Sequence, residues 1–288
     1  MVMIEIDNLK WYEDKKYLQN LDIFLDAMKD NDDLVIVFDG KERSGKSKRM
    51  RQVAKYCANY LGTTFSQKNI KQDLQQYMDF SIESPEYTIC MMDEARKQLN
   101  RKSSMTRIAK KFTNYLSECG KRRQVHLIAL PAFHDLDKYL VLWRMKFVIH
   151  VHKWYEKDDT NKSGYRLARG KYTLYMNDKY LKDCYNYPYA YPKRWETKGE
   201  YSNVEVLTEE DLKAYDHDKD MNIEQRYHSK YEEEELGKRE QMWKERAKKL
   251  VIALIDRDVP EMTIADYLGF KEDSWKVWKS REKLMINE

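Results

Sequence analysis

The sequence predicts an α/β fold, a mainly parallel sheet sandwiched by helices, with a small all-α domain at its C-terminus. Three observations predict it. Short, continuous apolar runs recur at Leu34–Phe38 (LVIVF), Tyr87–Met92 (YTICMM), Val125–Leu130 (VHLIAL) and Phe147–His152 (FVIHVH). Leu34–Phe38, β-branched, continuous and short, is what a strand buried on both faces looks like, and the other runs are of similar length. Stretches of helical periodicity separate them, and strand–helix–strand alternation implies parallel pairing through right-handed crossovers. Finally, apolar patterning resumes after a charged stretch, at Ala247, which marks a second compact region.

The elements follow in order. Tyr17, Leu18, Leu21, Phe24, Leu25 and Met28 fall at helical spacing within 13–30. After the first strand, the sequence predicts a helix from Ser47 to Leu61 with Gly62 as its C-terminal cap. Residues 69–80 read as a helix, 95–120 as a longer one, and 135–144 as another. Residues 165–176 read as a hairpin centred on Arg169-Gly170, and the Tyr-rich stretch 185–201, holding Pro188 and Pro192, as irregular surface. Residues 209–249 read as a charged helix or helical linker. The implied division is 1–32 as an N-terminal helical segment, 33–180 as the core, 181–243 as Tyr-rich segment and linker, and 244–288 as the C-terminal domain.

Composition bounds the function. The chain has 288 residues, 42% hydrophobic and 35% charged, with a net charge of +4. That balance excludes a polycation, so any nucleic-acid contact needs locally clustered charge. Cys57, Cys90, Cys119 and Cys184 lack metal-ligand or redox spacing and read as reduced thiols. No apolar run is long enough to span a bilayer and no leader-like segment opens the chain, so the expectation is a cytoplasmic protein without membrane insertion.

One segment carries strong chemistry. Gly40-Lys41-Glu42-Arg43-Ser44-Gly45-Lys46-Ser47 matches G-x-x-x-x-G-K-[ST], directly after a strand and before a helix. Glycines let the backbone curl so that successive amides face phosphate oxygens. Lys46 is placed for the β- and γ-phosphates and Ser47 for Mg²⁺, with Lys48 completing the nucleotide-contacting set. A carboxylate at the end of the second buried strand, Asp93, suits the same metal. Glu94 beside it suits a general base for the attacking water, its alternative being a helix cap. ATP and Mg²⁺ are therefore the expected cofactors.

With Asp-Glu at that position and a strand expected between it and the loop strand, the chain resembles P-loop NTPases with an extra catalytic glutamate. In layout, residues 33–152 resemble the FtsK/HerA and zonular-occludens-toxin-like ATPases of plasmids, phages and viruses. The resemblance implies an oligomeric ATP hydrolase, a dimer or ring, acting on DNA in packaging, transfer or replication. It departs from those families where Ala129-Leu130-Pro131-Ala132 lacks a polar sensor; only Gln124 and His126 precede it, and His134 or Asp135 follow. Ten basic residues lie between 96 and 123 against one acid, Glu118. Among them Arg101, Arg122 and Arg123 are candidates for an arginine finger. His150 and His152, alternating along one strand, read as structural or surface residues.

Near the C-terminus, Thr263-Ile264-Ala265 with Leu268-Gly269-Phe270, then Ser274 and Val277, resembles a helix-turn-helix. That likeness puts Lys276, Lys279, Arg281 and Lys283 in line for DNA contacts. Two other functions remain open: an ATP-switched DNA-binding adaptor without translocation, and a signalling ATPase whose C-terminal helices bind protein.

Overall fold

The structure is a computed structural model and describes residues 1–93, 107–133, 136–176, 196–228, 245, 248, 251–252, 254 and 259–267. It divides into two compact units, Met1–Gln225 and Arg226–Glu288.

The first unit opens with a hairpin, β1 (Val2–Ile6) and β2 (Leu9–Glu13), where the sequence reading has only a helical segment. Its two-residue turn is Asp7-Asn8, both at positive φ (50° and 64°), the conformation a tight hairpin needs and Asx residues tolerate. Ile4, Ile6, Trp11 and Glu13 turn one face inward. Asp14 caps α1 (Lys15–Ala27) by accepting from the Tyr17 amide at 2.9 Å.

The central strand β3 (Leu34–Asp39) leads into α2 (Lys46–Tyr60). As expected, Gly62 ends α2 at φ +68°; its amide bonds Asn59 O and that of Thr63 bonds Ala58 O, a Schellman arrangement. Next come β4 (Ile70–Lys71), α3 (Leu74–Glu83), β5 (Ile89–Met92), α4 (Arg107–Glu118) and β6 (Val125–Ala129). A wide helical turn at Leu140–Arg144 precedes β7 (Met145–Lys157), followed by β8 (Tyr165–Tyr175) and β9 (Thr197–Glu200). The first unit ends within α5 (Glu209–His228).

Seven strands form one sheet in the order β4-β5-β6-β3-β7-β8-β9. The first five pair in parallel; β7–β8 and β8–β9 are antiparallel. The result is a mixed, mostly parallel sheet with helices on both faces, compatible with a Rossmann-like arrangement. Strand β3 shows why its run is continuously apolar. Leu34, Ile36 and Phe38 pack with α1 and α2, while Val35 and Val37 pack with α3 and α4. Each such side chain contributes about 1.5–3 kcal/mol by burial.

Three expectations change. The helix expected over 69–80 starts at Leu74, because Asp73 accepts from the amides of Gln75 and Gln76 and so caps it there. Asn69 instead closes a capping box with Ser66, and Ile70–Lys71 joins the sheet edge. Arg169-Gly170 is not a hairpin turn but a bulge within β8, where pairing passes from His152–Lys171 to Trp154–Ala168 and Gly170 takes φ +104°. The reversal lies between β7 and β8, at 158–164. Of the stretch expected to be irregular surface, Thr197–Glu200 is an edge strand; 177–195 lie outside the described residues.

In the second unit, Val251, Ile264 and Ala265 form a small cluster, the last two on α6 (Glu261–Tyr267). Gly269, Ser274, Lys276, Lys279, Arg281 and Lys283 lie outside the described residues.

Candidate nucleotide site

Because β3, β5 and β6 run in parallel, their C-terminal ends share one edge of the sheet. The Gly40–Ser47 loop and Asp93 meet there. Gly40 has φ +132°, Arg43 +60° and Gly45 +99°, so the chain curls sharply before α2. A Cβ on Gly40 would lie 2.3 Å from Val151 O, and one on Gly45 2.6 Å from Tyr201 Oη. Conformation requires a glycine at both positions, and at Gly40, where the neighbour is backbone, space requires it too. The first amides of α2, a helix of 15 residues, open toward the loop and favour an anion.

The carbonyls of five consecutive loop residues each accept a side-chain donor. Lys46 Nζ donates to Gly40 O at 2.7 Å and Lys41 O at 2.9 Å. Lys153 Nζ donates to Glu42 O at 2.6 Å, Arg169 Nε to Arg43 O at 2.7 Å, and Tyr201 Oη to Ser44 O at 3.3 Å. Binding the carbonyls this way offsets their negative ends and surrounds the loop with cationic groups, a field that attracts anions. Ser44 Oγ is buried without a hydrogen-bond partner among the described residues, a donor open to a ligand oxygen. Burial lowers the Lys46 pKa, an effect opposed by Asp39, Asp93 and Glu42.

Asp93 is buried, its amide held by Lys71 O at 2.9 Å. Ser47 Oγ donates to its Oδ1 at 2.9 Å, although a whole strand, β6, separates β5 from β3. A hydroxyl and a carboxylate side by side are hard oxygen donors suited to Mg²⁺, whose other positions phosphates and water would take. Tyr215 Oη donates to the other oxygen, Oδ2, and Lys219 Nζ stands 3.8 Å from it. Beneath the loop, buried Asp39 pairs with His150 Nδ1 at 2.9 Å and accepts from the Phe133 amide at 3.2 Å. His152 bonds Thr173 Oγ1 at 2.7 Å, so both histidines serve the structure.

Segment 201–207 is strapped along α2. Gln52 Nε2 donates to Ser202 O and Val204 O at 2.8 and 2.9 Å, Lys48 Nζ to Asn203 Oδ1 at 2.8 Å, and Arg51 grips Glu205 with two bonds of 2.9 and 2.5 Å. Deeper, the fully buried Arg49 pairs with Glu13 and lies among the rings of Tyr17, Tyr172 and Tyr201, 4.4–5.5 Å from their centroids.

Two of the expected arginines are elsewhere. Arg122 donates to Ser81 O and Ile82 O, and Arg123 to Asn31, Glu86 and Tyr87, at the opposite edge of the sheet, just before β6 begins. On their own chain they hold backbone and loop rather than nucleotide. Gln124 and His126 are at that edge too, and Gln124 bonds Ser81, Ser84 and Pro85. Glu94, Arg101, His134 and Asp135 lie outside the described residues. Conversely, Lys153, Arg169, Tyr201, Tyr215 and Lys219 were not anticipated. Their only sequence signal is charge and tyrosine in segments without a motif.

At the far edge Asp33, Cys119 and His126 meet. Cys119 Sγ is 3.5 Å from His126 Nε2 and 3.8 Å from Asp33 Oδ2, and Tyr77 Oη is 2.6 Å from His126 Nδ1. Arg144 Nη2 donates to Asp33 at 2.5 Å, and burial pushes the Cys119 thiol up to about 12. A guanidinium already serves this carboxylate, so the cluster is a hydrogen-bonded knot ill suited to a metal ion. Burial, with Arg144 nearby, lowers His126 to about 3 from 6.5. The fold therefore accommodates neutral His126, and the stability it confers is complete above pH 6.5 and lost as pH falls below that. Between pH 6.5 and 5, wild-type unfolding free energy should fall by up to about 1.4 kcal/mol per pH unit more than that of His126→Asn. Urea melts of both proteins across that range measure it.

Comparisons with protein families, with curated proteins and with solved structures found no match, so the functional reading rests on this geometry.

Proposed function

We propose that the chain is a Mg²⁺-dependent ATPase that acts on DNA as an oligomeric motor or genome-handling enzyme. The observation that carries the reading is the 2.9 Å contact between Ser47 and Asp93, which joins the glycine loop to the end of β5 across β6. In this reading the loop amides and Lys46 hold the phosphates, Ser47 and Asp93 hold the metal, and Glu94 accepts the proton of the attacking water. Bound Mg²⁺ would neutralise charge on the β- and γ-phosphates. Positioning and charge then supply most of the catalysis.

Two features support DNA as the partner. One is the basic run 96–123 in the sequence. The other is an open groove of about 670 Å³ beside β7–β9, lined by Lys153, Lys171, Lys198, Trp154 and Tyr175 together with Glu200, which pairs with Lys171 at 3.5 Å. Cations interleaved with rings suit phosphates and stacked bases.

The test is steady-state ATP turnover with and without single- and double-stranded DNA at two salt concentrations, for wild type, Lys46→Ala and Glu94→Gln. Turnover stimulated by DNA, weakened by salt and lost in both variants is expected. Turnover indifferent to DNA keeps the ATPase and favours the signalling reading. Slow turnover with a sequence-specific footprint favours the adaptor. No turnover in wild type rejects the ATPase.

A further inference from the structure

We propose that Lys219 is a catalytic cation supplied in cis to the charge that develops on the transferred phosphoryl group, with Tyr215 as the residue that positions it. This inference rests on the ATPase reading and deepens it. Hydrolysis forms a bond from water oxygen to the γ-phosphorus as the bond to the β-phosphate oxygen breaks. That oxygen keeps the electron pair, and the water proton passes to Glu94. Charge spread over the equatorial oxygens then needs a positive partner beyond the metal. Arg122 and Arg123 do not supply one within this chain, because they are occupied at the opposite edge.

Lys219 stands where such a partner is needed. Asp93 has Ser47 on one oxygen; on the other it has Tyr215 and, at 3.8 Å, the Lys219 ammonium. Lys219 thus approaches Asp93 on the oxygen that Ser47 does not use. Tyr215 and Lys219 are one turn apart on α5 and share a face. The ammonium lies 5.7 Å from the centre of the Tyr215 ring, and Arg51 lies 5.1 Å from it.

The helix that carries them is anchored to the site rather than draped over it. Thr208 Oγ1 accepts from the Asp211 amide at 3.1 Å and caps α5. Arg51 ties Glu205 to α2, Val206, Leu207 and Tyr215 enter the core, and Gln67 bonds Asp218. Lys219 itself is 28% exposed, on a flexible stem that can exchange the carboxylate for an incoming phosphate oxygen.

The test compares kcat with the dissociation constant of a Mg²⁺-bound, non-hydrolysable ATP analogue in wild type, Lys219→Ala, Lys219→Gln, Lys219→Arg and Tyr215→Phe, with Lys46→Ala as control. The expected result is a loss of about 10²–10³-fold in kcat for Lys219→Ala and Lys219→Gln, with analogue affinity within about threefold. Lys219→Arg should recover most of the rate, and Tyr215→Phe should fall between. Unchanged kcat overturns the proposal, as does a loss mirrored in affinity. Tighter analogue binding at unchanged kcat also overturns it, showing that Lys219 merely stands in for the metal. If wild type binds the analogue no better than Lys46→Ala does, the ATPase reading itself fails and takes this inference with it.

Discussion

Arg49→Ala should destabilise the first unit by about 3–5 kcal/mol, because it leaves the Glu13 carboxylate buried without its counter-charge. Arg49 is fully buried and Glu13 nearly so, and Tyr172 Oη bonds the other Glu13 oxygen at 2.7 Å. Burial by itself would lower the Arg49 pKa, but Glu13 and the tyrosines around it raise it above its ordinary value, so the guanidinium is charged. The substitution also removes the cation from three aromatic rings and opens a void between the N-terminal hairpin, α2 and β8. For a unit of this size the loss corresponds to a fall in Tm of about 6–20 °C. Calorimetric or circular-dichroism melts measure it. Replacing both partners, Arg49→Met with Glu13→Leu, should restore much of the stability, since it is the lone buried charge that is costly. A double variant as unstable as the single would show that the pair's value lies in shape rather than charge.

On the proposed ATPase reading, Gly40→Ala should abolish nucleotide binding. At φ +132° an alanine carries about 1–3 kcal/mol of backbone strain before any clash is counted. Its methyl would also sit 2.3 Å from Val151 O, which belongs to the backbone of β7 and cannot rotate away. Either β7 shifts from β3 or the loop flips, and both destroy the arrangement of side-chain donors on the loop carbonyls. Gly62→Ala is the matched control: φ is +68°, but nothing lies within 4 Å of the added carbon, so it should cost only about 1 kcal/mol and leave binding intact. Titration with a fluorescent ATP analogue beside thermal melts separates the two. Equal affinity in Gly40→Ala and wild type would show that the loop tolerates another path.

What the sequence disclosed, and what it hid, follows from how local each cause is. Strands β3 and β5 were legible because burial on both faces leaves an unbroken apolar run, and β6 and β7 because apolar residues dominate around their histidines. The glycine loop and Asp93 were legible because fixed residue types at fixed spacing next to a strand mark them, whatever they bind. Two-residue β4 gives no periodicity to detect, and a glycine in mid-strand looks like a turn until its partner strand is known. Lys153, Arg169, Tyr201, Tyr215 and Lys219 reach the site from segments more than a hundred residues beyond the loop. Nothing near them in sequence marks which carbonyl or carboxylate they will meet. Arg122 and Arg123 show the reverse: a run of charge is visible in sequence, but only the direction of β6 tells which edge of the sheet it occupies.

The sheet order bears on how the protein is made. Strand β3 is hydrogen-bonded on both sides, yet its partners β6 and β7 lie about ninety and about one hundred and ten residues further along the chain. At ribosomal rates of about 5–20 residues per second, the run Leu34–Asp39 leaves the ribosome roughly 5–20 s before either neighbour exists. During that interval a strand whose six residues are all buried in the folded protein is unpaired at both edges, and pairing so distant in sequence is also slow to form. Nascent-chain chaperones should therefore engage this protein early, and expression at lower temperature, or fusion behind a fast-folding carrier, should raise the soluble yield.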